Sequence, residues 1–284
     1  MERDDRMKAL FDDLIRENRP MGQQTEVIKP KISKVPFGVN EAINVLRGNI
    51  QLSGNNIKAV AITSSLAHEG KSSIAFRLAK SLADLEKRVL YLDGDIRNST
   101  IQVRYDIMGD KKGLSEYLCG ELSKEKIIYH TDDPWMDIIF TGAKAPNPSA
   151  LVSGPLFQEL MQFLKSIYDY VIVDTPPLNL VIDGLLIAKQ CDGTVLVIES
   201  GMTDRAQADK ARRQMEYAGI NMLGAVVNKV MLSERRYGYG YGYGYGYGYG
   251  YGYGYGYGYG ERSDSGDRKG SSGNRKKKDA KSKK

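Results

Sequence analysis

The stretch KAVAITSSLAHEGKSS, from Lys58 to Ser73, begins as an unbroken apolar run, narrows to small and polar residues, and reopens into a helical pattern. A strand that turns tightly into a helix commits a chain to the crossover units from which parallel sheets are built. The turn carries Gly70-Lys71-Ser72, the closing half of a phosphate-binding loop. In such a loop successive backbone N–H groups converge on phosphate oxygens at a helix N-terminus, a lysine reaches the β and γ oxygens, and a serine hydroxyl holds Mg²⁺. The usual spacing would place a first glycine at position 65, where this chain has Ser65. The candidate nucleotide contacts are therefore Ser65, His68, Glu69, Gly70, Lys71, Ser72 and Ser73, with a plain strand-turn-helix connection as the competing account.

Other segments continue the alternation. Residues 40–52 and 74–85 carry apolar positions at helical spacing, and Arg88 to Leu92 reads as a second strand running into Asp93-Gly94-Asp95-Ile96-Arg97. GLSEYLCG reads as a short helix, MDIIFTG as a strand with its turn, and NPSALVSGPLFQELMQFLKSI as one helical segment. Tyr170 to Asp174 reads as a buried strand ending in an acid. A helix over 183–190, a strand over 193–198, a helix over 204–218 and a strand over 223–228 follow. Continuous apolar strands between helices predict an α/β fold: a doubly wound, mostly parallel sheet of the P-loop NTPase type with a disordered C-terminal tail. The expected organisation is a flexible arm over 1–35, one domain over 36–236, a Tyr-Gly repeat over 237–260 and a basic tail over 261–284.

Charge narrows the function classes. The last 24 residues hold ten basic and four acidic side chains, so residues 1–260 balance at 31 of each. The basic excess belongs to the tail, and a nucleic-acid-binding body is not expected. Cys119 and Cys191 have neither disulfide nor metal-ligand spacing, and His68 and His130 are the only histidines, which argues against zinc and for a reducing compartment. No stretch approaches eighteen consecutive apolar residues, so a chain that does not itself span a membrane is expected.

Lys71, Ser72, Asp93, Asp95 and Asp174 come from three strand ends that a parallel sheet brings to one edge. Phosphoryl transfer needs this set: a cation and Mg²⁺ against the γ-phosphate charge, and a group that orients the nucleophile. Ser72 and Asp174 suit the metal shell. Asp93 and Asp95 suit either activation of a hydroxyl or the metal, and a helix cap or turn is the structural alternative for the pair.

In this order, EGKSS, YLDGDIRNS, VIVDTPP, the helix EAINVLRGNI and a terminal tyrosine cluster resemble the bacterial protein-tyrosine kinases of capsule and exopolysaccharide operons. The resemblance implies ATP and Mg²⁺ as cofactors, Lys71, Asp93, Asp95 and Asp174 as catalytic residues, and Ser72, Asp93, Asp95 and Asp174 as metal ligands. It implies autophosphorylation at Tyr237, Tyr239, Tyr241, Tyr243, Tyr245, Tyr247, Tyr249, Tyr251, Tyr253, Tyr255, Tyr257 and Tyr259. Glu41 and Arg47 would lie at a ring interface between copies that phosphorylate each other, although the family's middle arginine is Asn44 here. Further implications are a membrane adaptor that activates the kinase, a cognate tyrosine phosphatase, and a cytoplasmic protein held peripherally at the membrane. Asn228 resembles the position from which related NTPases reach the base. Leu66 stands where partition ATPases carry an extra lysine, and eukaryotic-type kinase motifs are absent. A regulatory ATPase that transfers nothing to tyrosine is the alternative within the fold, and a scaffold of aromatic stickers the alternative outside it. About three or four phosphotyrosines, at −1.5 to −2 each, would cancel the tail's +6, so the tail is also expected to act as a charge switch.

Overall fold

The computed structural model describes residues 27–230, which belong to one compact unit. The arm before residue 27, the Tyr-Gly run, the basic tail and every expected phosphorylation site lie outside the described residues.

Helix α1 (Phe37–Leu52) leads into strand β1 (Ala59–Ser64), then α2 (Lys71–Ala83) and β2 (Val89–Asp93). A single turn α3 (Ile101–Arg104) and a short α4 (Leu114–Leu118) precede β3 (Tyr129–His130) and β4 (Met136–Ile139). Helices α5 (Pro148–Ser153) and α6 (Pro155–Ile167), strand β5 (Tyr170–Asp174) and α7 (Asp183–Ala188) follow. The described residues end with β6 (Gly193–Glu199), α8 (Arg205–Tyr217) and β7 (Met222–Asn228). The sheet order is β3-β4-β2-β5-β1-β6-β7, parallel throughout except for β3, which pairs antiparallel with β4.

Strand periodicity of two divides the core between the faces. Val60, Ile62, Val89, Tyr91 and Ile172 pack with Ile74, Phe76, Leu78 and Leu82 of α2 and Ile43 and Ile50 of α1. Leu90, Leu92, Val171 and Val173 point the other way, against Leu160, Met161 and Leu164 of α6. A third cluster joins Ala61 and Leu196 to Ala188, Ala211 and Met215 of α7 and α8. Burial on both faces explains why the strands carry continuous rather than alternating apolar runs.

Adjacent strands β1 and β5 send their following helices to opposite faces: α2 joins the first cluster and α7 the other two. That opens a crevice beyond their carboxyl ends, where doubly wound sheets bind ligands.

Three local expectations are corrected. Residues 27–35 are not a free arm: Ile28 is buried, its N–H donates to the His130 carbonyl, and its carbonyl accepts from Asp132 N–H, which docks this segment on the sheet edge. The helical stretch expected across 147–167 is two helices, because Pro155 excludes the helical conformation at Gly154, which is extended at φ −75°, ψ 165°. Strand β3 and turn α3 were not expected; each has too few residues to show a period.

Candidate active site

The carboxyl ends of β1, β2 and β5 place their polar residues side by side, since Asp93 pairs in register with Asp174 and Ile62 with Asp174. Between them lies Lys71, the first residue of α2. Its Nζ donates to Asp95 Oδ2 and to Asp174 Oδ1, each at 3.2 Å, and to Ser72 Oγ at 3.3 Å. Burial alone would lower the Lys71 pKa, but the charges of Asp174, Asp95 and Asp93 outweigh it and hold the group charged, above its ordinary range.

Asp93 is the odd member. It is 1 % exposed and accepts from Ser99 Oγ and from the Asp95 N–H. Burial, and then the charge of Asp174, push its carboxyl up to about 7, so near neutrality it is partly protonated. Tyr91, fully buried one strand away, donates its hydroxyl to Asp174 Oδ2 at 3.2 Å. Burial, and then the same carboxylate, hold the Tyr91 phenol well above its ordinary pKa, so it serves only as a neutral hydrogen-bonding group. Asp174 is thus held at both oxygens, by an ammonium and a phenol.

Above this cluster is a cavity of about 420 Å³ lined by His68, Gly70, Lys71, Ser72, Ser73 and Asn228 from the expected set, and by Asp95. Gly70 takes φ +94°, and a Cβ there would come within 2.1 Å of the Asn228 amide, so only glycine fits. No side chain caps α2. Its first-turn N–H groups have no intrahelical acceptor and open toward an anion at the cavity floor. These features fit a nucleotide triphosphate. The hydroxyl of Ser72 and the carboxylates of Asp95 and Asp174 are hard oxygen donors suited to Mg²⁺, which also takes phosphate oxygens and water. Among the described residues no three His, Cys, Asp or Glu side chains form a metal-binding group.

Not every expected residue faces the cavity. Ser65 and Glu69 turn their side chains on each other, so only their main chains are available to a nucleotide. Asp93 and Asp174 lie beneath the lining. Glu41 is exposed and accepts from Asn44 Nδ2, whereas Arg47 donates to the Ser81 carbonyl at 2.9 Å and hydroxyl at 2.7 Å within its own chain. That use of its guanidinium competes with the expected interface role.

The structure also adds residues. Arg97 and Arg104 line the cavity, Arg104 donating to Ser73 Oγ at 2.6 Å. Arg97 is fixed by Asp183, whose carboxyl is buried yet kept below its ordinary pKa by hydrogen bonds from Arg97 and Ser149. Pro176, Pro177, Leu180 and Val181 form an apolar wall opposite. Arg97 was legible as part of the motif after β2, and Pro176 and Pro177 as part of VIVDTPP; Arg104, Leu180 and Val181 carried no signal in the sequence.

The model of the AAA domain family matches residues 57–201, which hold the whole carboxylate–lysine cluster. Tyrosine-protein kinase CpsD of Streptococcus agalactiae is 39% identical over 213 residues, covering 75% of this chain and 93% of that protein. Tyrosine-protein kinase YwqD of Bacillus subtilis is 34% identical over 228 residues, covering 79% and 94%. The solved kinase domain of Escherichia coli tyrosine kinase ETK superposes with a TM-score of 0.65 at 28% identity, covering 81% of this chain and 90% of that one. Identity at this level along nearly the whole length of the relatives, over a fold that gathers Lys71, Asp95 and Asp174 at one sheet edge, places the chain in the bacterial tyrosine-protein kinase family.

Proposed function

We propose that the chain transfers the γ-phosphoryl group of ATP to tyrosine hydroxyls, and that its own Tyr-Gly run is an acceptor. The observation that carries this reading is Lys71 Nζ, 3.2 Å from both Asp95 and Asp174 at the floor of the cavity. Lys71 neutralises charge on the transferring group, and the α2 amides orient the phosphates. Ser72, Asp95 and Asp174 would hold magnesium, which when bound would supply further charge neutralisation on the phosphates.

Asp95 is the group that reaches the cavity, so it orients the acceptor phenol and takes its proton. The phenol oxygen forms a bond to Pγ, the bond from Pγ to the bridging oxygen breaks, and ADP leaves. Asp93 supports Asp95 from behind through the backbone N–H of Asp95. Asn228, which lines the cavity, is the residue proposed to reach the base.

The same reading extends to the cell. Among the described residues no helix is long and apolar enough to cross a membrane. Attachment through a membrane adaptor, phosphorylation between copies of the chain, reversal by a tyrosine phosphatase, and control of capsule or exopolysaccharide synthesis are the corresponding proposals, supported by family membership. The test is incorporation of phosphate from ATP·Mg²⁺, mapped by mass spectrometry in wild type, Lys71→Met and a chain ending at Arg236, with and without an adaptor segment. Label on Tyr237 to Tyr259 that vanishes with Lys71→Met supports the kinase. Hydrolysis that labels no tyrosine under any condition refutes it in favour of a regulatory ATPase.

A further inference from the structure

Glu69 is an expensive residue in an unexpected place. It is 2 % exposed, lies inside the phosphate-binding loop, and points away from the cavity. Its hydrogen-bond donors are neutral: Ser65 Oγ at 2.9 Å to Oε1 and 3.0 Å to Oε2, the Leu66 N–H at 2.7 Å to Oε2, and Thr203 Oγ1 to Oε1. Burying a carboxylate without a cation is costly, and a negative charge beneath a phosphate site adds repulsion.

The bonds all serve one end. Ser65 and Leu66 open the loop, whereas Thr203 stands 134 residues away in the connection from β6 to α8. The Thr203 hydroxyl is itself oriented by the Glu199 N–H at 2.9 Å. Two further ties run in parallel. Asn228 Nδ2 donates to the Glu69 carbonyl, and Lys229 Nζ donates to the His68 carbonyl and pairs with Glu199, each at 2.8 Å. His68 and Lys229 both hold left-handed conformations, φ 66° and 55°, which non-glycine residues keep only when their surroundings impose them.

We propose that Glu69 is a positioning residue: its carboxylate bridges Ser65 and Leu66 to Thr203 and holds the phosphate-binding loop in shape where the usual first glycine is missing. The loop's fit to phosphate then depends on the connection after β6, through Thr203. This rests on the nucleotide-site reading above.

The test is isothermal titration of the full chain with a non-hydrolysable ATP analogue plus Mg²⁺, and separately with adenosine. Thr203→Val should weaken analogue binding by about tenfold, the loss of one hydrogen bond to a charged group, and Glu69→Ala, which removes every bond of the bridge, by at least about that much. Adenosine binding should change less than about twofold, since the bridge acts on the phosphate end. The double variant should lose no more than Glu69→Ala alone, because both changes cut the same bridge. Thr203→Ser, which keeps the hydroxyl, should bind as wild type, whereas Glu69→Gln, whose single acceptor oxygen cannot serve both the Leu66 N–H on Oε2 and Thr203 on Oε1, should fall between wild type and Glu69→Ala.

Unchanged analogue affinity in folded Thr203→Val, equal losses for adenosine, or additive losses in the double variant would each overturn the proposal. If Glu69→Ala does not fold, Thr203→Val and its serine counterpart carry the same expectation. A wild-type chain that binds neither ligand overturns the nucleotide reading and this one together; a wild type that binds while the variants match it overturns this one alone.

Discussion

Replacing Asp93 by asparagine should stabilise the ligand-free protein, and by an amount that depends on pH. In the folded chain burial and the neighbouring Asp174 raise the Asp93 carboxyl from 3.8 to about 7. Between those two values the native state holds a proton that the unfolded chain releases, so stability is complete below the lower value and falls as pH rises toward the upper one. At 1.36 kcal/mol per pKa unit, the wild type loses on the order of 2 kcal/mol by pH 5 and on the order of 4 kcal/mol at pH 8. Asparagine keeps an acceptor for Ser99 and the Asp95 N–H and carries no such term. The stability gap between Asp93→Asn and wild type should therefore widen by roughly 2 to 3 kcal/mol from pH 5 to pH 8. Urea unfolding of both proteins with EDTA and no nucleotide, at pH 5, 6.5 and 8, reads the gap directly. A gap that stays constant, or narrows as pH rises, would refute the assignment of a proton to this cluster.

Removing the cation has the opposite sign. Lys71→Met leaves Asp95 and Asp174 buried without their partner and should cost about 3 to 5 kcal/mol in urea unfolding, besides abolishing phosphate transfer; a fully stable variant would contradict the buried pairing. Tyr91→Phe removes only the hydroxyl on Asp174 and should cost about 1 to 3 kcal/mol. Titrating Mg²⁺ against bound nucleotide should also show a raised magnesium requirement, and an unchanged midpoint would separate Tyr91 from Asp174 function. Gly70→Ala forces a Cβ to within 2.1 Å of the Asn228 amide at φ +94°. It should weaken nucleotide binding and cost about 1 to 3 kcal/mol, whereas Gly201→Ala, also at positive φ but with open space around it, should spare binding. Leu160→Ala, in the fully buried α6 face, should lower stability by about 2 to 5 kcal/mol without changing nucleotide affinity in the folded fraction.

Much of the fold was legible because its signals are local. The apolar runs of β1, β2, β5 and β6 and the helical spacing of α1 and α2 repeat within a few residues, so each could be located without its neighbours. The acids at the ends of β2 and β5 could be assigned to one edge because parallel strands point the same way. What escaped were short pieces and long-range pairs. Strand β3 has two residues and exists only because β4 offers it an edge. Arg47 sits at the spacing of an interface residue, yet its guanidinium reaches Ser81, 34 positions on, and is used there. Ser65 and Glu69 lie in the loop as expected, but their side chains turn on each other and leave only the main chain to a nucleotide, because the direction of a side chain is not a property of its position in the chain.

By itself the sequence determined the kind of fold and which lysine and acids would meet at one edge of the sheet, because strand and helix periods, a phosphate-binding turn and acids at strand ends are all short-range patterns. Only the tertiary structure decided how the charges divide. Lys71 takes Asp95 and Asp174, 24 and 103 residues away, Tyr91 takes the second oxygen of Asp174, and Asp93 is left buried with its carboxyl pushed up to about 7. Desolvation and pairing act over a few ångströms of folded space, and no distance along the chain encodes them.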